Sequence, residues 1–199
     1  MHDASKPDVR GLEAEAYHQS GYFTAAQARS HGVTRQLLSH HVRHGRFTRL
    51  RRGLYRIQGF PSSENDELRE TWMAVGTDKA ILSHDSALAL LDLSDTIPAA
   101  VHVLVSRRHR GLRPPPGVIV HTHPDGEAIA TVWRDGLPLT APARTLIDVA
   151  GEIQPEQASM AVGQALRRGL VTERQLEAEA RRRRKQDVLH AVHAVDAPR

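Results

Sequence analysis

The sequence predicts an α+β chain of two dissimilar parts, and three observations carry that expectation. Helix starts and glycine stops follow one another closely before residue 46, and two β-prone runs then flank Arg51-Arg52-Gly53. Further on, the strand-like runs Val101–Val105 and Val118–Val120 lie among helical signals rather than alternating regularly with them. Finally, Ala16 to Ser63 holds eight arginines and no acidic residue, so this stretch carries +8 while the rest of a +4 chain sums to −4. Together they describe an N-terminal winged helix-turn-helix over 1–58 followed by a mixed α/β C-terminal domain over 64–199, joined by the Gly59–Ser63 linker.

In the first part, Val9, Leu12 and Ala16 share a helical face, which places a first helix over about Asp8–Gln19, weakened by Gly11. Thr24 with Gln27 three residues on is a capping box that opens a second helix to about His31, and Gly32 makes the turn after it. Thr34 then caps a third helix, Arg35–His44, closed by Gly45. Leu38 and Val42 mark its inner face, with Leu37 and His41 beside them. Arg35, Gln36, Ser39, His40 and Arg43 are left to solvent, a set of side chains suited to base edges in a major groove. The following hairpin, Phe47–Leu50 and Leu54–Ile57, turns at Gly53 and presents Arg51 and Arg52 at its tip. Arg46, Arg49, Arg51, Arg52 and Arg56 are placed for phosphate contacts, which fix position rather than sequence.

The second part opens with a helix through Leu68, Trp72 and Val75. Ile81-Leu82 leads into Ser83, followed by a helical Ala87–Leu91. The two strand-like runs come next, separated by RRHRGLRPPPG. Gly136–Thr140 precedes a helix near Pro142–Ala150. Another helix opens at Pro155 and closes at Gly169, and a last one opens at the Thr172/Gln175 capping box and continues through Arg181–Lys185.

Composition narrows the function classes. A chain of 199 residues without cysteine has neither disulfides nor thiolate metal sites. No apolar run approaches bilayer length and the polar N-terminus is no signal peptide, so the cytoplasm is the expected compartment and no membrane partner is expected. An arginine-rich, acid-free module points to a nucleic-acid face, and double-stranded DNA is the expected partner. A winged helix that docks a protein is the alternative.

The winged-helix segment, followed by ILSHDSALALLDL, VHVLVSRR and DGLPLTAPARTLIDVA, resembles the AbiEi-type antitoxins of bacterial type IV toxin–antitoxin systems, over roughly Gly21 to Leu176. The resemblance implies a non-enzymatic, autoregulating transcriptional repressor. Its winged helix would bind operator DNA, and its C-terminal domain would act against a nucleotidyltransferase-like toxin. It also implies DNA contacts at Arg35, Gln36, Ser39, His40, Arg43, Arg51 and Arg52. Ser83, His84, Arg144, Thr145 and Asp148 match the C-terminal motif without any implied chemistry. Some relatives append a nuclease-like domain, which this sequence is expected to lack.

Other residue groups have competing explanations. Ser83-His84-Asp85 has the residue types of a hydrolase triad, but adjacent residues cannot reach the necessary geometry; Ser83 as N-cap and Asp85 on the helix dipole explain it better. His121-Thr122-His123 would set two imidazoles on one strand face, yet no third ligand stands near in sequence, so neither a metal nor any other cofactor is expected. Pro124-Asp125-Gly126-Glu127 lacks the acid-x-Lys that would make it a nuclease cluster. Arg144 and Asp148, four residues apart, read as a surface pair, Arg181–Lys185 as a solvated helix face, and Trp72 and Trp133 as core.

Overall fold

The computed structural model describes residues 6–94 and 98–195. The chain forms two compact units, one up to Thr77 and one from Asp78.

The first unit contains α1 (Val9–Tyr17), β1 (Tyr22–Thr24), α2 (Ala25–Ser30), α3 (Arg35–Arg43), β2 (Phe47–Arg51), β3 (Leu54–Ile57) and α4 (Asp66–Val75). Its helix starts follow the capping chemistry. Asp8 accepts from the Gly11 N–H at 2.8 Å, Thr24 and Gln27 form the reciprocal box, and Thr34 Oγ1 accepts from the Leu37 N–H at 3.3 Å. The strands pair antiparallel in the order β1-β3-β2. Leu12, Ala16, Phe23, Ala28, Val33, Leu38, Phe47 and Tyr55 fill the core, where the Phe23 ring meets Phe47 edge-on at 4.8 Å and stacks on Tyr55 at 5.6 Å. At the hairpin tip Gly53 has φ +81°, a conformation a side chain would strain.

Two features of this unit differ from the sequence expectation. Tyr22-Phe23-Thr24 is a third strand, too short to show a period of its own. Helix α4, assigned from sequence to the second part, clusters with the first. Its acidic residues explain the difference: Asp66 pairs with Arg56 at 2.9 Å and Glu70 with Arg51 at 2.5 Å.

The second unit contains β4 (Ala80–Leu82), α5 (His84–Leu90), β5 (Val101–Ser106), β6 (Val118–His123), β7 (Thr131–Arg134), β8 (Leu137–Thr140), α6 (Pro142–Val149), α7 (Pro155–Arg167), α8 (Glu173–Arg183) and α9 (Gln186–Val195). The strands form a mixed sheet in the order β6-β5-β4-β8-β7. β5 runs parallel to β6 and β4 parallel to β8, while β4/β5 and β7/β8 are antiparallel. The architecture is thus α+β. The β7–β8 hairpin escaped sequence reading because Pro138 interrupts the strand pattern, although Asp135-Gly136 supplies the two left-handed residues of a tight hairpin turn, with φ of +49° and +70°. Trp133 lies on the edge strand β7 and is 63% exposed, so it is not core; Trp72 is buried. Helix α8 stops at Arg183, where Arg184 turns left-handed as its C-cap, and α9 begins two residues later.

Candidate nucleic-acid interface

The Thr34 cap sets the start of α3, and Leu38 anchors this helix in the core at 3% exposure. That rotation leaves Arg35, Gln36, Ser39, His40 and Arg43 exposed. Ser39 Oγ donates back to the Arg35 carbonyl at 3.0 Å, and Arg43 Nε donates to the Ser39 carbonyl at 3.4 Å. The His40 ring stacks on His44 with centroids 4.0 Å apart. His41 turns inward against Phe47, and burial lowers its pKa below the ordinary imidazole value, so it adds no charge at neutral pH.

The arginines separate into two groups that the sequence did not distinguish. Carboxylates from outside the acid-free run reach three of them. Glu13 takes Arg46 Nε and Nη2 at 2.7 and 2.8 Å, Glu70 takes Arg51, and Asp66 takes Arg56, which also lies over the Tyr22 ring at 4.7 Å. The hydrogen bond from Arg46 is the main reason the Glu13 carboxyl is held below its ordinary value. Arg29, Arg35, Arg43, Arg49 and Arg52 are exposed and have no ion-pair partner among the described residues. Four of these, Arg29, Arg35, Arg49 and Arg52, border one groove of about 360 Å³ between α2, the start of α3 and the hairpin, lined also by the buried Leu38 and Tyr55. Arg29 was not among the sequence candidates. Its signal was its place in the last turn of α2, the first helix of the helix-turn-helix pair, a position that meets backbone in proteins of this architecture.

In the second unit, the motif residues Arg144, Thr145 and Asp148 are structural braces. Arg144 is 1% exposed and Asp148 2%, so they are not the surface pair that their spacing suggested. Arg144 Nε bonds Asp148, and Nη1 reaches Glu127 at 3.1 Å and Glu179 at 3.8 Å. Thr145 Oγ1 donates to the Thr140 carbonyl at 2.9 Å. The basic run is only partly a solvated face. Arg181 pairs with Glu177 on the surface, whereas Arg183 reaches Asp148 at 3.2 Å and Lys185 Nζ donates to the Ile147 carbonyl at 3.1 Å. Asp125 accepts from the Ser106 hydroxyl and the Arg108 N–H, a loop-holding role.

Ser83 occupies the N-cap position of α5, but its hydroxyl makes no capping bond; it lies 3.0 Å from His84 Nδ1 instead. His84, His102 and His121 converge, with one ring nitrogen of each within 4.8 Å of the other two. His123, the sequence partner of His121, turns away to the Pro124 carbonyl and Glu127. Burial, then the neighbouring imidazoles, lowers His84 to about 3 and His121 below its ordinary value.

Among known proteins, the sequence profile described as "Transcriptional regulator, AbiEi antitoxin" matches residues 12–58. No curated protein matches the chain. The crystal structure of the RV2827C protein from Mycobacterium tuberculosis is similar in fold. Its TM-score is 0.52 at 16% identity, over 92% of this chain and 76% of that one. The matched segment begins at the first buried leucine of α1 and ends just after the winged hairpin. Over residues 12–58 the chain is thus similar to the AbiEi-type antitoxin transcriptional regulators.

Proposed function

We propose that this chain is a sequence-specific DNA-binding repressor that acts on its own promoter, as the antitoxin of a type IV toxin–antitoxin system. One observation carries the reading: four arginines without carboxylate partners border a single groove between α2, α3 and the wing. Guanidinium groups gathered on a concave face, with no internal acid to neutralise them, suit phosphate oxygens. Helix α3 enters the major groove with Arg35 and Gln36 toward base edges. Arg29, Arg49 and Arg52 hold the flanking backbone, and bound protein occludes the promoter. Arg46 and Arg51, already paired, contribute less. Repression by occlusion needs no catalysis, and the reading assigns the chain no enzymatic activity, a cytoplasmic location and a nucleotidyltransferase-like toxin as its protein partner. No helix among the described residues is long and apolar enough to cross a membrane.

The second reading is a winged helix that docks a protein, favoured by the three intramolecular carboxylates that neutralise part of the basic face. A gel-shift titration with the DNA upstream of the gene, a scrambled control of equal length and two salt concentrations separates them. Tight binding to the native fragment alone, surviving the higher salt, is the expected result. Equal and salt-fragile binding to both fragments, or none, overturns the repressor reading.

A further inference from the structure

Three imidazoles from three separate stretches of the sequence meet in the second unit. His84 follows β4 as the first residue of α5, His102 lies on β5 and His121 on β6. His102 Nδ1 is 3.0 Å from His121 Nε2, and the His84 and His121 rings lie nearly parallel with centroids 3.4 Å apart. His84 and His102 are buried and His121 is half-buried. From the convergence of these donors, we propose that His84, His102 and His121 bind one divalent transition-metal ion of the zinc class.

The donor geometry supports this. Nitrogens about 2.0–2.1 Å from a tetrahedral zinc ion lie about 3.3 Å from each other, close to the His102–His121 separation already present. Parallel rings aim their in-plane lone pairs along separate lines, so capture turns the His84 or His121 ring off the stack. Carboxylates stand at the periphery: Asp85 is 3.9 Å from His102 Nε2 and Glu152 is 3.7 Å from His84 Nε2. With Nδ1 of His102 facing the ion, Asp85 sits where a supporting carboxylate orients a ligating imidazole, while Glu152 is the nearest candidate for a fourth ligand. A donor set of imidazole and carboxylate suits zinc, cobalt or nickel, whereas magnesium and calcium select all-oxygen shells. His84 is also a non-glycine residue at φ +47°, a conformation that persists only where the surroundings enforce it. The bound ion would tie the start of α5 to β5 and β6. The inference concerns the second unit and stands whether or not the first binds DNA.

The test uses the tag-free full chain stripped of metal. Calorimetric titration with Zn2+ is expected to give one site per chain, a raised Tm and no response to Mg2+. His102→Gln and His121→Gln are each expected to weaken binding at least about tenfold, while His190→Gln on α9 leaves it unchanged. Co2+ in the wild-type chain is expected to show the intense visible bands of a four- or five-coordinate site, a readout that no folding defect in a variant can disturb. Absence of one-site Zn2+ binding in the wild type overturns the proposal, as does binding that survives both glutamine variants, or a Co2+ spectrum of the weak octahedral kind.

Discussion

Arg144 carries its charge into the interior, where Asp148, Glu127 and Glu179 meet it from two helices and the loop after β6. An ion buried this deeply depends on its carboxylate partners, which engage Nε and Nη1 and leave Nη2 without a hydrogen bond. Arg144→Ala would leave Asp148, at 2% exposure, with the Arg183 contact but without its Arg144 partner, and is expected to cost about 3–5 kcal/mol in urea denaturation. Arg181→Ala, which removes an exposed pair of the same i, i+4 type, should stay within about 0.5 kcal/mol. Glu13 shows how pH enters. Its folded pKa is held below the ordinary 4.5, chiefly by the Arg46 hydrogen bond, so the pair stabilises the fold above that value and the contribution is lost as pH falls through the folded pKa. Glu13→Gln should therefore be less stable than wild type at neutral pH, and the two unfolding curves should converge well below pH 4.5. The same substitution frees Arg46, and tighter DNA binding is its expected second effect in the gel shift.

Elements owe their limits to local chemistry and their roles to what surrounds them. The capping box fixes where α2 begins: the Thr24 N–H donates to Gln27 Oε1 at 2.8 Å and the Gln27 N–H to Thr24 Oγ1 at 3.2 Å. Thr24→Ala is expected to lower stability by about 1 kcal/mol in denaturant titration, and to weaken DNA binding through the misplaced Arg29. Helix α3 and the wing should respond differently to mutation if they contact DNA as proposed. Gln36→Ala on α3 is expected to change preference at one base position, by about 1–3 kcal/mol. Arg52→Ala in the wing should weaken binding to all sequences alike and reduce the salt slope by about 1. Arg51→Ala should do less than Arg52→Ala until Glu70→Gln removes its partner, a comparison that gel shifts on the four variants decide.

At the scale of the whole molecule, the charge asymmetry seen along the sequence is moderated by the fold. The unit through Thr77 holds eleven basic and eight acidic residues, and the unit from Asp78 holds sixteen and fifteen. The second unit is therefore not acidic, as a division at residue 64 suggested, because α4 brings its carboxylates to the first. Five arginines of the Ala16–Ser63 run remain without ion-pair partners among the described residues, so about five phosphates should be neutralised and the log–log salt slope should be near −4.5. Measurement on the intact chain from low to physiological salt checks this. A slope near −7 would mean that the paired arginines are released on binding.

The segment from Leu12 to Gln58 was legible in sequence because its signals are local. A Thr-x-x-Gln box, glycines at turns and a hairpin tip act over three or four residues, and the chain realises each of them there. The α+β class followed from the same cues, and the resemblance to AbiEi-type antitoxins, drawn from this segment together with the motifs of the second part, is matched by a family profile over residues 12–58. Tertiary structure alone decided which arginines remain available, since Glu13, Asp66 and Glu70 lie outside the run that they neutralise. It also decided that Arg144 is buried, because an i, i+4 spacing is the same on a wet or a dry face. The meeting of His84, His102 and His121 required the sheet itself: parallel pairing of β5 with β6, beside the β4–α5 corner, joins residues too far apart in sequence for any spacing rule to connect.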